Sequence, residues 1–272
     1  MSKITTFDPT FYLETYLDLG EDVKTEKDAI RHYIKHGILE QRSPSLDAIQ
    51  HTYSSNLTQI QKENNMFQTN IRFNILIRTS KRPQMFKRCI ESILSQTYKN
   101  YHVYVCYDTK DSLHYLKKYE KNEKITFFYN QPDSSEKYRF NLHCNALLQR
   151  VSSDYILFMD DDGMFTGNYC LNIIRCHISP YKLLSWTFLR PDKLVAINNR
   201  GKQQDIRLGE IDTSSVCFHH SLKHLSSWDD QQYGDYRFFK PLFRECPSES
   251  KMVILYTLTS TQFDDKIGNY GR

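Results

Sequence analysis

Residues 73–108 read FNILIRTSKRPQMFKRCIESILSQTYKNYHVYVCYD and predict a strand, a helix and a second strand. The apolar run 73–77 has the length and composition of a buried strand. Over 83–96, apolar residues recur every three or four positions, which predicts an amphipathic helix. A second apolar run, 103–107, ends at Asp108. A helix between two buried strands predicts a parallel pair, because parallel strands need a crossover connection.

The same alternation continues downstream. The pattern predicts a helix over 112–121, a strand over 125–129, a helix over 139–151 and a strand over 155–159. This order predicts a parallel α/β sheet, and ligands of such sheets bind just outside the carboxyl ends of the strands. Polar residues stand at these ends: Arg78, Thr79, Asp108 and the aspartates after residue 159. We therefore expect a binding site at this edge.

Three aspartates, Asp160, Asp161 and Asp162, close the last of these strands and precede Gly163. Adjacent carboxylates repel one another unless a cation neutralises them. Hard divalent ions prefer carboxylate oxygen and often share their coordination with substrate phosphates. Asp160 and Asp162 are two positions apart at a strand end, so both are expected on the same side. The alternative is a solvated acidic turn, because Asp and Gly also favour turns.

Two long segments and two short ones resemble glycosyltransferase family 2. Residues 73–108 are similar to the opening of that family, with a T-x-x-R-P-like turn and a second strand that ends in Asp. Residues 141–165, NLHCNALLQRVSSDYILFMDDDGMF, are similar to its next block, where a strand precedes the D-x-D motif. Residues 228–230 and 233–238 look like the region that supplies the catalytic base. The likeness covers about residues 72–245 and implies a GT-A fold, a Rossmann-like mixed sheet flanked by helices.

The resemblance also implies roles for individual residues. Asp162 would bind Mn²⁺ or Mg²⁺ directly, with Asp160 beside it. The residues that would contact the nucleotide are Thr79, Arg82, Asp108, Arg139, Asp160 and Asp161. Ordinary structural roles stay open for three of them: Asp108 as a turn residue, Arg82 as a solvated turn residue and Arg139 as the surface partner of Glu136.

Asp235, in the sequence Gly-Asp-Tyr, matches the position of the family's general base, and Asp230 is the second candidate. A single inverting displacement needs such a carboxylate to take the proton of the attacking hydroxyl. Helix capping is the structural alternative for Asp235. Asp212 is expected to shape the acceptor pocket. We expect Trp186 and Trp228 to pack in the core rather than against a sugar.

The implied activity is a metal-dependent, inverting transfer of a sugar (a hexosyl group) from a nucleotide sugar, by default a UDP-sugar, to a hydroxyl of a glycan or other acceptor. The chain lacks the Q-x-x-R-W motif of processive members, so a membrane-embedded polymer synthase is not expected. Two other classes stay open: a non-catalytic relative that binds a nucleotide sugar or a glycan, and a metal-dependent phosphohydrolase or nucleotidyltransferase.

Composition excludes other classes. A formal charge of +4 over 272 residues, without a long basic cluster, gives no indication of nucleic-acid binding. No apolar run approaches the roughly 18 residues of a membrane span. The seven cysteines are scattered and contain no C-x-x-C pair, which indicates a reducing compartment rather than disulfides or a zinc site. We therefore expect a cytoplasmic protein (in the host cytoplasm if the source is viral).

The chain is predicted to divide into a helical module (1–45), a linker or connecting helix (46–70) and a GT-A domain (71–272). Asp8 and Pro9 predict the start of one helix, and Thr25 with Asp28 predicts a second. The apolar face of the second helix is expected to comprise Ala29, Ile30, Tyr33 and Ile34, with Gly37 as a C-terminal stop. The module resembles a short helical repeat found beside glycosyltransferase domains. Packing, homo-oligomer formation and acceptor binding stay open as its role.

Overall fold

The structure is a computed structural model that describes residues 7–16, 19–20, 22–38, 40, 42–49, 70–131, 133–178, 182–191, 193–195 and 206–261. Its core is a mixed sheet of nine strands. The strands are β1 (Phe73–Thr79), β2 (Tyr101–Tyr107), β3 (Ile125–Tyr129), β4 (Tyr155–Asp160), β5 (Gly163–Phe165), β6 (Leu183–Arg190), β7 (Lys193–Val195), β8 (Val216–His219) and β9 (Lys251–Thr261).

Besides a short helical segment at 46–49, seven α-helices accompany the sheet in the described part of the chain. They are α1 (Pro9–Thr15), α2 (Glu26–His32), α3 (Pro83–Leu94), α4 (Leu113–Leu116), α5 (His143–Gln149), α6 (Cys170–Ile178) and α7 (Gly234–Glu245). Residues 46–49 are also helical, and 50–69, the rest of the predicted linker except Asn70, lie outside the described residues. None of the described helices has the length and apolar character that crossing a membrane would require.

The strand order is β3-β2-β1-β4-β8-β6-β9-β5, with β7 paired to β6. The first four strands in this order are parallel, as the sequence predicted. From β8 onward antiparallel pairs enter, and β6 pairs with β9 in parallel. The fold is therefore a mixed α/β sheet, and the carboxyl ends of β1, β2 and β4 meet at one edge.

Side chains of β1 alternate between two apolar layers. Phe73, Ile75 and Ile77 pack with α3 and α6 on one face. Leu76 packs on the other face with residues of α5 and α7. This alternation is the two-residue period of a strand that is covered on both faces. All seven cysteines are buried and free.

Two predicted helices are shorter than expected. Over 112–121, only Leu113–Leu116 is α-helical, and 3₁₀ turns flank it at Lys110–Ser112 and Lys117–Tyr119. Leu116 and Tyr119, three positions apart, are both buried in the same core, which suits a three-residue turn. Over 139–151, the segment Arg139–Leu142 is a 3₁₀ turn and the α-helix begins at His143. Such turns are frequent at helix N-termini.

The two predicted N-terminal helix starts are confirmed. Asp8 caps α1 by accepting a hydrogen bond of 3.0 Å from the backbone N–H of Phe11. Thr25 and Asp28 form a capping box at α2, an arrangement that contributes about 1 kcal/mol to helix stability. The α1 helix reaches the sheet through Tyr16, which stacks on Tyr256 of β9 at 5.6 Å.

The predicted apolar face of α2 is only partly correct. Ala29 is buried, but Ile30 and Ile34 are exposed. The helix packs through Ala29 because α1 presents the rings of Tyr12 and Tyr16 to that side. Gly37 ends a π-helical turn (Tyr33–Gly37), but the need for glycine is steric, since a Cβ there would lie 2.4 Å from the Tyr12 hydroxyl.

Candidate active site

Arg78 and Asp160 are neighbours across the β1–β4 pair, at the carboxyl ends of both strands. The guanidinium of Arg78 donates two hydrogen bonds to the Asp160 carboxylate, at 2.7 and 3.1 Å. Burial raises the pKa of Asp160, but the charge of Arg78 outweighs it and holds the pKa below its ordinary value. Asp160 is therefore a carboxylate with a fixed partner.

Arg82 is the counterion of the other two aspartates. Its guanidinium pairs with Asp161 and donates a hydrogen bond of 3.0 Å to Oδ2 of Asp162. Asp161 is fully buried and also accepts a 2.8 Å hydrogen bond from the Thr79 hydroxyl. Thr79 itself is 5% exposed and contacts the Tyr115 hydroxyl. Thr79, Arg82 and Asp161 thus form a mostly buried network, which also lines a small cavity of about 20 Å³ together with Asp108 and His143.

The side chains of Asp160 and Asp162 both line one cavity of about 320 Å³, whereas Asp161 points away from it. The other charged residues of this cavity are Arg78, Arg190, Asp212 and Asp235. Burial and the nearby Asp160 raise the pKa of Asp162 to about 7. Two guanidinium groups thus face three aspartates at the strand ends, which leaves one negative charge in excess.

Asp235 lies in the first turn of α7 and faces the same cavity. Burial, followed by the charge of Asp212, raises its pKa to about 7. Tyr233 is the residue at the helix N-cap position, so Asp235 is not the capping residue. Asp212 is oriented by hydrogen bonds from the backbone and hydroxyl of Ser214. This places a carboxylate with an elevated pKa opposite the aspartate edge of the sheet.

Asp230 lies outside this cavity. It accepts a 2.7 Å hydrogen bond from the Ser134 hydroxyl. That contact and one from Gln231 hold the pKa of Asp230 below its ordinary value. The structure therefore separates the two candidates for a base: Asp235 is inside the cavity and Asp230 is on the surface.

A second, larger cleft of about 720 Å³ opens on the other side of the strand ends. Asp108 and Arg139 line it, together with His143, whose Nε2 lies 3.7 Å from Oδ2 of Asp108. Burial raises the pKa of Asp108, but hydrogen bonds from His143 and Ser80 outweigh it and keep the pKa low. Oδ1 of Asp108 is buried and has no protein hydrogen-bond partner, so it is an acceptor available to a ligand.

The two tryptophans are buried, as expected, with 1% and 3% of their surface exposed. Trp186 donates a hydrogen bond to Thr259, and Trp228 stacks on Phe238 with ring centres 4.8 Å apart. Trp228 nevertheless lines the cavity as well, and its Nε1 has no protein hydrogen-bond partner. Trp228 can therefore pack in the core through its ring and still present one edge to a ligand in the cavity.

Asn141, Arg190 and Tyr233 line the cavity but were not predicted from the sequence as members of the site, whereas Arg78 was placed at this edge without a role. Arg78 had a signal, because it stands at a strand end where charged residues are functional candidates. Arg190, at the end of β6, lies at the same edge because β8 is antiparallel to both β4 and β6, so that β6 runs in the direction of β4. Tyr233 has a left-handed backbone (φ 61°), a locally strained conformation that the amino-acid sequence does not indicate.

Among the described residues, no group of three or more His, Cys, Asp or Glu side chains is placed to hold a metal ion by itself. The donor chemistry still fits a hard divalent ion whose remaining ligands come from a substrate. Asp162 faces the cavity and has one oxygen, Oδ2, paired with Arg82, while burial and the charge of Asp160 raise its pKa. Both oxygens of Asp160 accept hydrogen bonds from Arg78, whereas Oδ1 of Asp162 accepts none within the described residues.

Residues 74–188 match the model of the protein family described as glycosyl transferase family 2. This segment of the chain is a family 2 segment. It runs from β1 through most of β6 and contains Asp108, Arg139 and all three aspartates of the strand end. Asp212 and Asp235 lie beyond the family 2 segment, in the part of the fold that completes the cavity.

Solved structures of glycosyltransferases share the fold. TarS 1-349 from S. aureus superposes with a TM-score of 0.56 at 12% identity, covering 71% of this chain and 60% of that chain. The complex of TarS 1-349 with UDP-GlcNAc superposes with a TM-score of 0.53 at 14% identity, covering 72% of this chain and 59% of that chain. The mannosyltransferase PcManGT from Pyrobaculum calidifontis, in complex with GDP-Man and Mn²⁺, superposes with a TM-score of 0.51 at 10% identity. The match covers 83% of this chain and 70% of that chain.

No curated protein sequence matches the chain. The chain spans 60% of the length of TarS 1-349, so it matches the fold over part of that relative. At identities of 10–14%, these superpositions show a shared fold and nothing further about this chain.

Proposed function

We propose that the protein is a metal-dependent glycosyltransferase that moves a hexosyl group from a nucleotide sugar to a hydroxyl of a glycan or related acceptor, with inversion. One observation carries the proposal. The carboxylate suited to a metal, Asp162, and the carboxylate suited to a base, Asp235, line the same cavity at the carboxyl edge of a family 2 sheet. A metal-bound diphosphate and an attacking hydroxyl need that pairing of groups across one space.

The nucleotide is assigned to the larger cleft, next to the strand ends. Asp108 presents a buried, unpartnered acceptor oxygen there, which suits a base or ribose donor. Arg139 is exposed on the wall of that cleft, where its planar guanidinium suits phosphate oxygens. UDP is the first choice of nucleotide, since TarS was solved with UDP-GlcNAc, and GDP is the second, since PcManGT was solved with GDP-Man.

Asp162 would hold Mn²⁺ or Mg²⁺, and Asp160 would stay with Arg78 beside it. When bound, the ion neutralises negative charge that develops on the leaving diphosphate. The positive charge of Arg78 would also stabilise the leaving diphosphate, because its guanidinium lies on the cavity wall with Asp160 and Asp162. Thr79, Arg82 and Asp161 are joined by hydrogen bonds and ion pairs, and Arg82 links them to Asp162. We propose that they hold Asp162 in place rather than contact the nucleotide directly.

Asp235 would act as the general base. The acceptor hydroxyl gives its proton to the carboxylate while its oxygen forms a bond to the anomeric carbon. The bond from that carbon to the phosphate oxygen breaks, and the nucleoside diphosphate leaves. A pKa of about 7 suits this task, because a base whose pKa is close to the working pH combines an available charge with strong proton affinity.

The acceptor is assigned to the part of the cavity around Trp228 and Thr261. Trp228 Nε1 and Thr261 Oγ1 are buried and lack protein hydrogen-bond partners. Tyr233 is half-exposed at the rim and offers an aromatic face. A neutral, hydroxyl-rich ligand such as a sugar suits these groups.

The donor site is tested by a thermal-shift panel of UDP, GDP, CDP and dTDP, each with and without Mn²⁺. A ligand that binds only the folded state raises the apparent melting temperature. We expect one nucleotide to give a shift that needs the metal and disappears in Asp162→Ala. Asp229→Ala, a surface aspartate paired with Arg237, is the matched control and should keep the shift. A shift that is indifferent to metal would contradict the proposed donor site.

Turnover is tested by release of the nucleoside diphosphate from UDP-sugars and GDP-sugars. Asp235→Asn and Asp230→Asn form a matched pair, because both remove one carboxylate from the same stretch of chain. We expect Asp235→Asn to lose about 100-fold or more in kcat and Asp230→Asn to stay close to wild type. Metal-dependent nucleotide binding without turnover of any donor would favour a non-catalytic relative instead.

A further inference from the structure

Asn141 joins the two halves of the cavity. It lies in the 3₁₀ turn before α5 and is 4% exposed. Its Oδ1 accepts a 2.9 Å hydrogen bond from Nη1 of Arg78, the residue that holds Asp160. Its Nδ2 donates a 3.0 Å hydrogen bond to the backbone carbonyl of Gln231, in the loop that leads to Asp235. Only one orientation of the amide satisfies both contacts, since the carbonyl must accept and the amino group must donate.

We propose that Asn141 is a positioning residue that sets the placement of Asp235 relative to the Arg78–Asp160 edge. This inference rests on the proposed function. Asn141 does not touch the reacting atoms in this assignment. It acts by holding the loop that precedes the base-bearing helix at a defined distance from the strand ends, through two hydrogen bonds of one rigid amide.

Gly234 gives an independent observation. A Cβ at this position would lie 2.4 Å from Nδ2 and 2.8 Å from Cγ of Asn141, and the next nearest atom is Oδ1 of the same side chain. Gly234 does not have a positive φ, so backbone freedom is not the reason for glycine here. The residue directly before Asp235 is thus in close contact with Asn141, and any larger side chain would push the base-bearing helix away from it.

A second asparagine, one helical turn later, holds the beginning of the same loop. Asn145 accepts a 2.9 Å hydrogen bond from the backbone N–H of Trp228 and donates one of 2.8 Å to its carbonyl. Within the described part of the chain, Asn145 forms no hydrogen bond with Arg78 or Asp160. Asn145 therefore anchors the loop without linking it to the strand ends, which makes it the matched control for Asn141.

The link matters because proton transfer depends steeply on distance. A displacement of about 1 Å in a catalytic group can cost about 100-fold in rate. The packing of Phe238 and Phe239 in the core holds the middle of α7. Asp235 lies in the first turn of this helix, directly after the loop. A hydrogen-bonded amide between the loop and Arg78 restrains that first turn directly.

The test compares Asn141→Ala with Asn145→Ala in the full chain, using UDP-GlcNAc and GDP-Man with Mn²⁺ and a sugar acceptor, and follows release of the nucleoside diphosphate. We expect Asn141→Ala to lower kcat by about tenfold or more while KM for the donor changes by less than about threefold. Asn145→Ala should lower the melting temperature at least as much, since it removes two hydrogen bonds, and should keep most of kcat. Equal losses of kcat in both variants would show a structural role only and would overturn the inference.

Gly234→Ala adds a test of the contact itself. We expect it to lower the melting temperature, and we expect the double variant Gly234→Ala/Asn141→Ala to recover most of that loss, because the amide that the new Cβ meets is gone. The double variant should not recover kcat, since the link to Arg78 is still absent. Recovery of kcat together with stability would overturn the inference.

Asn141→Asp keeps an acceptor for Arg78 and removes the donor to Gln231, so it supplies a nearly isosteric variant should Asn141→Ala fold poorly. It is expected to lose kcat as Asn141→Ala does. Failure of the inference and failure of the proposed function are distinguishable. A wild type that releases no diphosphate from any donor contradicts the function, whereas an active wild type with an equally active Asn141→Asp contradicts only the inference.

Discussion

Arg78 and Asp160 face each other across two parallel strands and share two hydrogen bonds, at 2.7 and 3.1 Å. Their side chains are 13% and 22% exposed, so the pair is mostly removed from water. This is the contact through which the acidic edge of the sheet is partly neutralised by the protein itself. Arg78 also lies over the Phe140 ring at 4.7 Å, which fixes the plane of its guanidinium.

Removal of Arg78 should therefore destabilise the fold. Breaking a mostly buried ion pair by removing one partner costs about 3 kcal/mol, because the other charge is left unpaired. We expect Arg78→Met to lower the free energy of unfolding by about that amount, measured by urea denaturation. Lys118→Ala, which breaks an exposed pair with Glu91, is the control and should cost less than about 1 kcal/mol. Asp160→Asn in the Arg78→Met background should recover part of the loss, and a further loss would contradict this account.

The activity should rise with pH through about 7. The pKa of Asp235 is raised to about 7, and only its deprotonated form can accept a proton. At saturating Mn²⁺, which would hold Asp162 in its deprotonated form, we expect kcat/KM for the donor and acceptor pair to follow one ionisation on the acidic side of the pH profile, with a midpoint near that value. The residual activity of Asp235→Asn should lack this ionisation. A wild-type profile that is flat from about pH 5 to 8 would exclude Asp235 as the base.

The same shift predicts the pH dependence of stability. Because the pKa of Asp235 is higher in the folded state than in the unfolded state, the folded protein binds more protons between about pH 4 and 7. The contribution of Asp235 to stability therefore falls as pH rises through this window. We expect Asp235→Asn to raise the melting temperature more at pH 8 than at pH 4, measured by calorimetry. The reverse order would contradict a raised pKa.

Thr79 should matter for stability rather than for nucleotide binding. Its hydroxyl donates to the fully buried Asp161, whose only other charged partner in the described residues is Arg82. We expect Thr79→Val to cost about 2 kcal/mol, because a hydrogen bond to a buried charge is lost, and Thr79→Ser to cost less. The affinity for the nucleotide and metal, measured by calorimetric titration, should stay the same in both. A selective loss of nucleotide affinity in Thr79→Ser would restore the direct contact predicted from the sequence.

Tyr233 should show separate effects of its backbone and its side chain. Its φ of 61° costs about 1 kcal/mol for a residue with a Cβ and much less for glycine. We expect Tyr233→Gly to be more stable than Tyr233→Ala by about 1 kcal/mol. Both variants remove the ring at the cavity rim, so both should raise KM for the acceptor by a similar factor. Equal stabilities would show that the left-handed backbone is not retained in solution.

The order of strands and helices could be predicted from the sequence because hydrophobic periods are local. The period of 3.6 in 83–96 and the apolar runs around it specify elements without reference to the rest of the chain. The site edge followed from the same reasoning, since parallel strands bring their carboxyl ends together and carry Asp108 and the aspartates there. Helix lengths such as 112–121 were less predictable, because packing of Leu116 and Tyr119 decides where the turn tightens.

By itself, the sequence determined the parallel strand–helix core, the helix caps at Asp8 and Thr25, and the presence of an acidic cluster at one sheet edge, since each depends on neighbours within a few residues. Only the tertiary structure decided how that cluster is neutralised and what faces it. Arg78, Arg82 and Asp235 are separated from the aspartates by about 70 to 80 residues of chain, and charges so distant meet only when the sheet is assembled. The pairing of Asp160 with Arg78, the burial of Asp161 and the position of Asp235 in the cavity rather than Asp230 follow from that assembly, because burial and charge proximity are properties of the folded chain.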